Sequence, residues 1–336
     1  MIKCHKKFIL LFGALFMNSF SQNLWDNYGL KDNPFDTMAL SLYSQSALSI
    51  KKAFITRGED CKASHLVNNI LRSKGGARFV LEGELGLGKT TFINYYKYIW
   101  SMEVKDKMFI PTSEITFSSD WNVKEFLLNL LSILITKILL LKGEKFVNDH
   151  PLFKKIIILN KVNTINNYQI EASIFGFGGG IGKDEEVSFP SVPQAQLFEC
   201  YRQIIAEILN LGYKGIIIHF ENLEITNKDS IKKMQAFFNK IRDILQIRHV
   251  YYIFVAEPGF FQHIIAPLSR VRSIFLGWPI HLRPLSKQET LQAFHRRYEL
   301  LSIRGVKYIL PVEDIYIEYL YEIYRSEEHT SELQSL

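Results

Sequence analysis

Apolar runs of strand length recur along the chain at 77–81, 108–117, 215–220, 249–256 and 273–283, with helical patterns between them. The runs at 215–220 (Gly-Ile-Ile-Ile-His-Phe) and 249–256 (His-Val-Tyr-Tyr-Ile-Phe-Val-Ala) are continuous rather than alternating. That is the signature of parallel strands covered on both faces. Helices are predicted over 91–100, 123–142, 193–211, 229–246, 259–268 and 286–301. In 229–246, Met234, Phe237, Phe238, Ile241 and Leu245 share one face, and Ser286 with Glu289 forms a capping-box pattern that opens the last helix. A further helix over 60–73 carries Leu66, Ile70 and Leu71 on one face and ends at Lys74-Gly75-Gly76. Strands alternating with helices predict an α/β fold with a mostly parallel sheet covered on both faces.

Two stretches need separate readings. Segment 126–141 is very apolar but is interrupted by Asn129, Ser132, Thr136 and Lys137, so it is predicted as a buried helix and not a membrane span. Residues 163–189 have another texture, with loose alternation over 170–177 and then Gly178-Gly179-Gly180-Ile181-Gly182. No Lys-Ser/Thr follows and no helix opens there, so the segment reads as a hairpin inserted on the surface and not as a phosphate loop.

Both ends differ from the middle. Residues 1–22 have a basic start (Lys3, His5, Lys6, Lys7), an apolar run over 8–17 and then Ser19-Phe20-Ser21, the layout of a secretory leader. Export conflicts with the intracellular chemistry read below. Residues 1–23 are therefore expected to lie outside the fold, either through a true start at Met17 or as a misjoined leader. Residues 325–335 resemble, at every position, the translation of one frame of a sequencing-adapter oligonucleotide, and 325–336 are expected to be non-native.

Composition narrows the picture modestly. With 336 residues, 47% hydrophobic and 22% charged, the chain can bury a core sufficient for one large or two modest domains. The formal charge of +6 permits contact with nucleic acid or an acidic surface without demanding it. Cys4, Cys61 and Cys200 have no C-x-x-C spacing and the histidines form no H-E-x-x-H, which points away from a disulfide framework and from zinc. A cytoplasmic location is expected.

The chemistry is carried by Gly83, Glu84, Leu85, Gly86, Leu87, Gly88, Lys89, Thr90 and Thr91, which fit G-x-x-x-x-G-K-[ST] between a strand and a helix. Glycines let the backbone curl so that successive N–H groups face one phosphate chain, and the helix N-terminus adds partial positive charge. Lys89 is expected to reach the β- and γ-phosphates of ATP and Thr90 to ligate Mg²⁺. Such a site also needs an acid at a neighbouring strand tip, and Glu221 stands there, followed by Asn222 and Glu224. Asn222 cannot accept a proton, which leaves slow hydrolysis or a role for Glu221 or Glu224. Arg270 and Arg272 fit either an arginine finger at a γ-phosphate or a surface pair. The tip of 249–256 has Val255-Ala256-Glu257.

In order, the parts Gly-Glu-Leu-Gly-Leu-Gly-Lys-Thr (83–90), Ile-Ile-Ile-His-Phe-Glu-Asn-Leu-Glu (216–224), Arg-Val-Arg-Ser-Ile-Phe (270–275) and Leu-Arg-Pro-Leu-Ser-Lys-Gln-Glu (282–289) resemble the AAA+ P-loop ATPases. Within them the likeness is to the initiator-like clade of origin-recognition and signal-transduction ATPases. The resemblance implies a three-layer sandwich with a mostly parallel five-stranded sheet, a helical lid and frequent oligomerisation. It divides the chain into a strap and helix at 24–76, a nucleotide-binding core at 77–285 with an insert at about 143–192, and the start of a lid at 286–324. The chain departs from the family at Asn222, at Ala256, in that insert and in a lid that ends before an arginine sensor. Three functions stay open: an ATP-driven conformational switch, a non-hydrolysing nucleotide-binding scaffold, and a DNA-binding initiator or mobile-element ATPase acting through a DNA or protein effector. ATP and a homo-oligomer are the expected partners, with no membrane.

Overall fold

The computed structural model describes residues 21–42, 48–58, 67, 75–102, 107–117, 121–166, 192–225 and 227–323. The chain divides into two units: 1–61, 90–98 and 283–336 make the first, and 62–89 and 99–282 the second. The expected helix over 60–73 (Val67 apart), the hairpin around 178–182, most of the leader and the adapter-like tail lie outside the described residues.

The second unit is organised on a sheet of β1 (Ala77–Glu82), β2 (Met108–Phe109), β3 (Ile115–Thr116), β4 (Gly215–Leu223), β5 (Val250–Ala256) and β6 (Ile280–His281). The order is β2-β4-β5-β1-β6, β3 also pairs with β4, and every pairing is parallel. The expected five-stranded sheet is thus a six-stranded one in which β2 and β3 share one edge of β4. Met108 and Phe109 pair with Gly215 and Ile216, while Ile115 and Thr116 pair with Phe220 and Glu221. Pro111 lies between the two short strands, and a residue with no N–H interrupts a ladder. The run 273–283 is strand only at Ile280–His281, because α8 (Ser269–Arg272) precedes it and Gly277, at φ 63°, turns the chain.

α3 (Lys89–Met102) opens directly on the glycine loop. The helices that follow it cover the sheet within the second unit. α4 (Val123–Asp149) starts from a capping box of Asn122 and Glu125 and runs beyond the expected end, past a kink at Gly143. By length and composition alone it would suit a membrane. Its Phe126, Leu127, Leu130, Leu131, Leu134 and Ile138 nevertheless pack in one core with Leu197, Ile204 and Ile208 of α6 (Gln194–Asn210). α5 (Pro151–Asn166) adds Phe153 and Ile156 to that core, so the insert expected from residue 143 begins as packed helix. α7 (Lys228–Leu245) buries the predicted face of Met234, Phe237, Phe238, Ile241 and Leu245. Its end is held by Arg78, which donates to O of Leu245, the last helical residue, and to O of Ile247 just beyond it.

The expected helix over 259–268 is instead a short π-helical turn, Phe261–Ile265.

Gly76 meets a stricter demand than ending a helix. Its φ is +101°, and a Cβ there would lie 2.5 Å from the carbonyl oxygen of Val250, a backbone atom at the start of β5. Gly76→Ala is therefore expected to cost about 2 kcal/mol, from left-handed strain plus a shift of β1 against β5. Urea unfolding would read this as a lowered midpoint, and an unchanged midpoint would contradict the close approach.

The first unit has its own core of Trp25, Leu30, Leu40, Leu48, Ile50, Tyr298 and Leu301. α1 (Ser21–Asp26) and α2 (Ile50–Ala53) contribute to it, with α9 (Lys287–Leu301), whose Ser286–Glu289 capping box forms as expected. The strap is joined to α9 by a bridge between Leu30 and Ser302 and by Arg297, which donates to Pro34 O and Asp36 O.

Candidate functional site

The tips of β1, β4 and β5 point to the same edge of the sheet because all three run parallel, with β5 between the other two. In open α/β sheets this carboxyl edge is where ligands bind. From β1 the chain enters the loop at Gly83. Gly86 and Gly88 take φ values of 85° and 77°, which a side chain would strain. A Cβ on Gly83 would lie 3.1 Å from Leu87 Cδ1 and 3.5 Å from Lys89 Cδ, so the loop closes tightly over its own start. Glu84, Leu85 and Gly86 are exposed at the loop's crest.

Lys89 points back into this loop. Its Nζ donates to Gly83 O at 2.5 Å and to Glu84 O at 2.8 Å. Burial lowers the Lys89 pKa below its ordinary value, and Glu221, Glu257, Glu84 and Glu224 oppose that shift. The lysine thus lies within electrostatic reach of the carboxylates on the tips of β4 and β5. Thr90 and Thr91 are half-buried in the first turn of α3, and Thr91 Oγ1 accepts from Leu40 N at 3.2 Å.

At the end of β4 the ladder with β5 slips. Phe220 pairs with Phe254 and Leu223 with Ala256, so Glu221 and Asn222 carry one residue more than the partner strand. Asn222 takes the left-handed conformation at φ 59° and is exposed. Asparagine tolerates that region better than other side-chain-bearing residues do, which gives it a backbone role at this bulge. Glu221 is turned inward, its side chain 13% exposed, with Oε1 2.7 Å from Nε2 of the buried His219. Nδ1 of His219 is 3.8 Å from Glu114. Glu224 is exposed beyond the bulge.

Sequence reasoning did not single out Glu82. This last residue of β1 is 2% exposed, and its carboxylate accepts from Phe261 N at 2.6 Å and Gly259 N at 3.3 Å. The available signal was a charge directly following the apolar run Phe79-Val80-Leu81. His219, one charge-capable residue within Ile-Ile-Ile-His-Phe, gave the same kind of signal. Arg270 and Arg272 are both exposed on α8, where Arg270 O accepts from Arg242 and the Arg272 guanidinium stacks over Trp278 at 5.0 Å. Among the described residues no cluster of His, Cys, Asp and Glu is arranged to hold a metal alone.

The donor set suits a nucleoside triphosphate with Mg²⁺. The lysine is gathered into a glycine loop that opens a helix, whose N-terminus adds positive potential, and an inward carboxylate is on the neighbouring tip. A parallel sheet with such a loop at its carboxyl edge defines a P-loop NTPase. The chain belongs to the KAP family: the family's profile, described as the KAP family P-loop domain, matches residues 60–267. The P-loop NTPase class expected from the motifs is thereby shown.

Among solved structures the chain is similar to the ORC2 protein of Aeropyrum pernix, at 12% identity and a TM-score of 0.39 over 79% of this chain and 57% of that one. It is also similar to Cdc6p of Pyrobaculum aerophilum, at 11% identity and a TM-score of 0.37 over 76% and 54%. The chain spans little more than half the length of these two proteins. No curated protein matches it.

Proposed function

We propose that the chain binds ATP with Mg²⁺ at Gly83–Thr91, hydrolyses it slowly, and uses the bound nucleotide as a conformational switch. The observation that carries this reading is Lys89 Nζ, held by the loop's own carbonyls amid carboxylates from neighbouring strand tips. ATP offers the lysine phosphate oxygens in place of Gly83 O and Glu84 O, and the glycine-rich turn supplies N–H groups without side chains in the way. Thr90 and Glu221 are the residues to hold Mg²⁺, which when bound neutralises charge on the phosphates. A switch is supported by the chain's division, since α3 opens on the loop and residues 90–98 of it belong to the first unit. Arg270 remains a candidate finger toward a second copy, and the basic balance leaves DNA or a protein effector as a target. A cytoplasmic setting suits a protein fed by ATP.

A scaffold that binds ATP without cleaving it is the second reading, favoured by the left-handed Asn222 where a proton acceptor was expected. Equilibrium binding of labelled ATP with and without Mg²⁺, followed by phosphate release, separates the two. Glu221→Gln is expected to keep ATP binding within about tenfold and lower phosphate release roughly 100-fold. Wild-type protein that retains no ATP rules out both readings, and binding without release leaves the scaffold.

A further inference from the structure

The sheet puts a carboxylate at the tip of the strand that lies between the phosphate-loop strand and the acid-bearing strand. Glu257 directly follows Ala256, whose register partners are Glu82 on β1 and Leu223 on β4. Its backbone is fixed from both sides. Glu257 N donates to Leu223 O at 3.3 Å on the β4 side. On the β1 side the Glu82 carboxylate binds Gly259 N and Phe261 N, so the segment carrying Glu257 is tied to the residue from which the phosphate loop departs. Burying a carboxylate is costly unless it is well satisfied, and this one is used to lock that segment.

The alternatives at this edge are less suited to proton transfer. Asn222 has no basic site and is aimed outward by the bulge. Glu221 lies against His219 and is the metal candidate. Glu224 is exposed beyond the bulge, and its pull on the Lys89 ammonium ranks below that of Glu257.

We propose that Glu257 is the base that takes the proton from the attacking water in ATP hydrolysis, an inference that rests on the ATP reading of the loop. The water oxygen bonds to the γ-phosphorus while the bond from that phosphorus to the β,γ-bridging oxygen breaks. The bridging oxygen keeps the electron pair and leaves as ADP, the water proton passes to a Glu257 carboxylate oxygen, and that proton is later released to solvent. The carboxylate on the central tip thereby does what the residue after Glu221 does not.

Wild-type, Glu257→Gln and Glu257→Asp proteins would be compared by labelled-ATP affinity, by kcat for phosphate release, and by the ATP-to-ADP ratio of nucleotide recovered from the protein. Glu257→Gln is expected to lower kcat by about 100-fold or more, to keep ATP affinity within about threefold, and to be recovered carrying ATP. Glu257→Asp, which keeps a carboxylate one methylene short, is expected to fall between the two at unchanged affinity. It also carries the test if Glu257→Gln fails to fold. A Glu257→Gln kcat within about threefold of wild type overturns the proposal, as does a loss of ATP affinity in step with the loss of rate. Wild-type protein that binds no ATP instead defeats the reading of the loop, and wild-type protein that binds ATP but releases no phosphate overturns the Glu257 role while leaving the loop intact.

Discussion

Lys89→Ala is expected to weaken ATP binding by roughly 100- to 1,000-fold, or about 3–4 kcal/mol, the scale of charge-assisted contacts to phosphate lost in a partly buried loop. Two features support so large an effect. The ammonium is already gathered into the loop by Gly83 O and Glu84 O, so little ordering is left for binding to impose. It is also the loop's own cation facing Glu221, Glu257, Glu84 and Glu224. Without it, an incoming triphosphate meets those carboxylates with less opposing charge, and long-range repulsion adds to the lost contact. Lys89→Arg is expected to recover only part of the affinity, because the Lys89 Cδ lies close under Gly83 and leaves little room for a planar guanidinium. Equilibrium binding of labelled ATP at fixed Mg²⁺ and salt measures both variants. Retention of ATP by Lys89→Ala at the wild-type level would end the ATP assignment.

The second large effect is on stability, in the first unit. Glu289 accepts two hydrogen bonds from the Arg283 guanidinium, at 2.8 and 2.9 Å, and one each from Gly58 N at 2.7 Å and Ser286 N at 2.8 Å. Arg57, 6% exposed, donates to Arg283 O and lies 5.8 Å from the Phe92 ring centre. The Arg283 pair, the largest cause, holds the Glu289 carboxyl down from 4.5 to about 2, with the Ser286 and Gly58 amides helping and burial opposing. Glu289→Ala is expected to destabilise the fold by roughly 2–3 kcal/mol, because it leaves the Gly58 and Ser286 amides without their acceptor and takes the carboxylate from a guanidinium that keeps the Pro284 carbonyl.

The pH dependence follows from the direction of that shift. A carboxylate whose folded pKa is depressed contributes stability that is complete above about pH 4.5 and fades as pH falls toward 2. Wild-type protein should therefore lose stability across that window more steeply than Glu289→Gln, which has no proton to bind there. Urea midpoints measured at pH 5 and at pH 3 test this, and parallel slopes would contradict the role of Glu289.

Much of this was legible in the chain. The continuous runs at 215–220 and 249–256 predicted strands buried on both faces, and both form. The Ser286–Glu289 spacing predicted a capping box, and it closes. These features depend on neighbours a few residues away, and local spacing encodes them. The run 273–283 was misleading because apolarity alone does not distinguish a strand from a short helix followed by a glycine turn. The strand expected over 108–117 was divided by Pro111, whose missing N–H is a local fact with a consequence visible only in the ladder. No helix was predicted over 151–166, where the apolar run Ile156-Ile157-Ile158-Leu159 is continuous and does not recur at helical spacing, and only its packing at Phe153 and Ile156 shows it as part of the core.

By itself the sequence determined that a lysine-bearing glycine loop sits between a strand and a helix, because the motif is contiguous and its backbone chemistry is local. Tertiary structure alone decided that β5 lies between β1 and β4, that Glu82 ties the segment after β5 to the loop strand, and that the bulge turns Asn222 out and Glu221 in. Strand order and register arise from which buried faces fit together across more than a hundred residues of chain, and no spacing within any one segment records that fit.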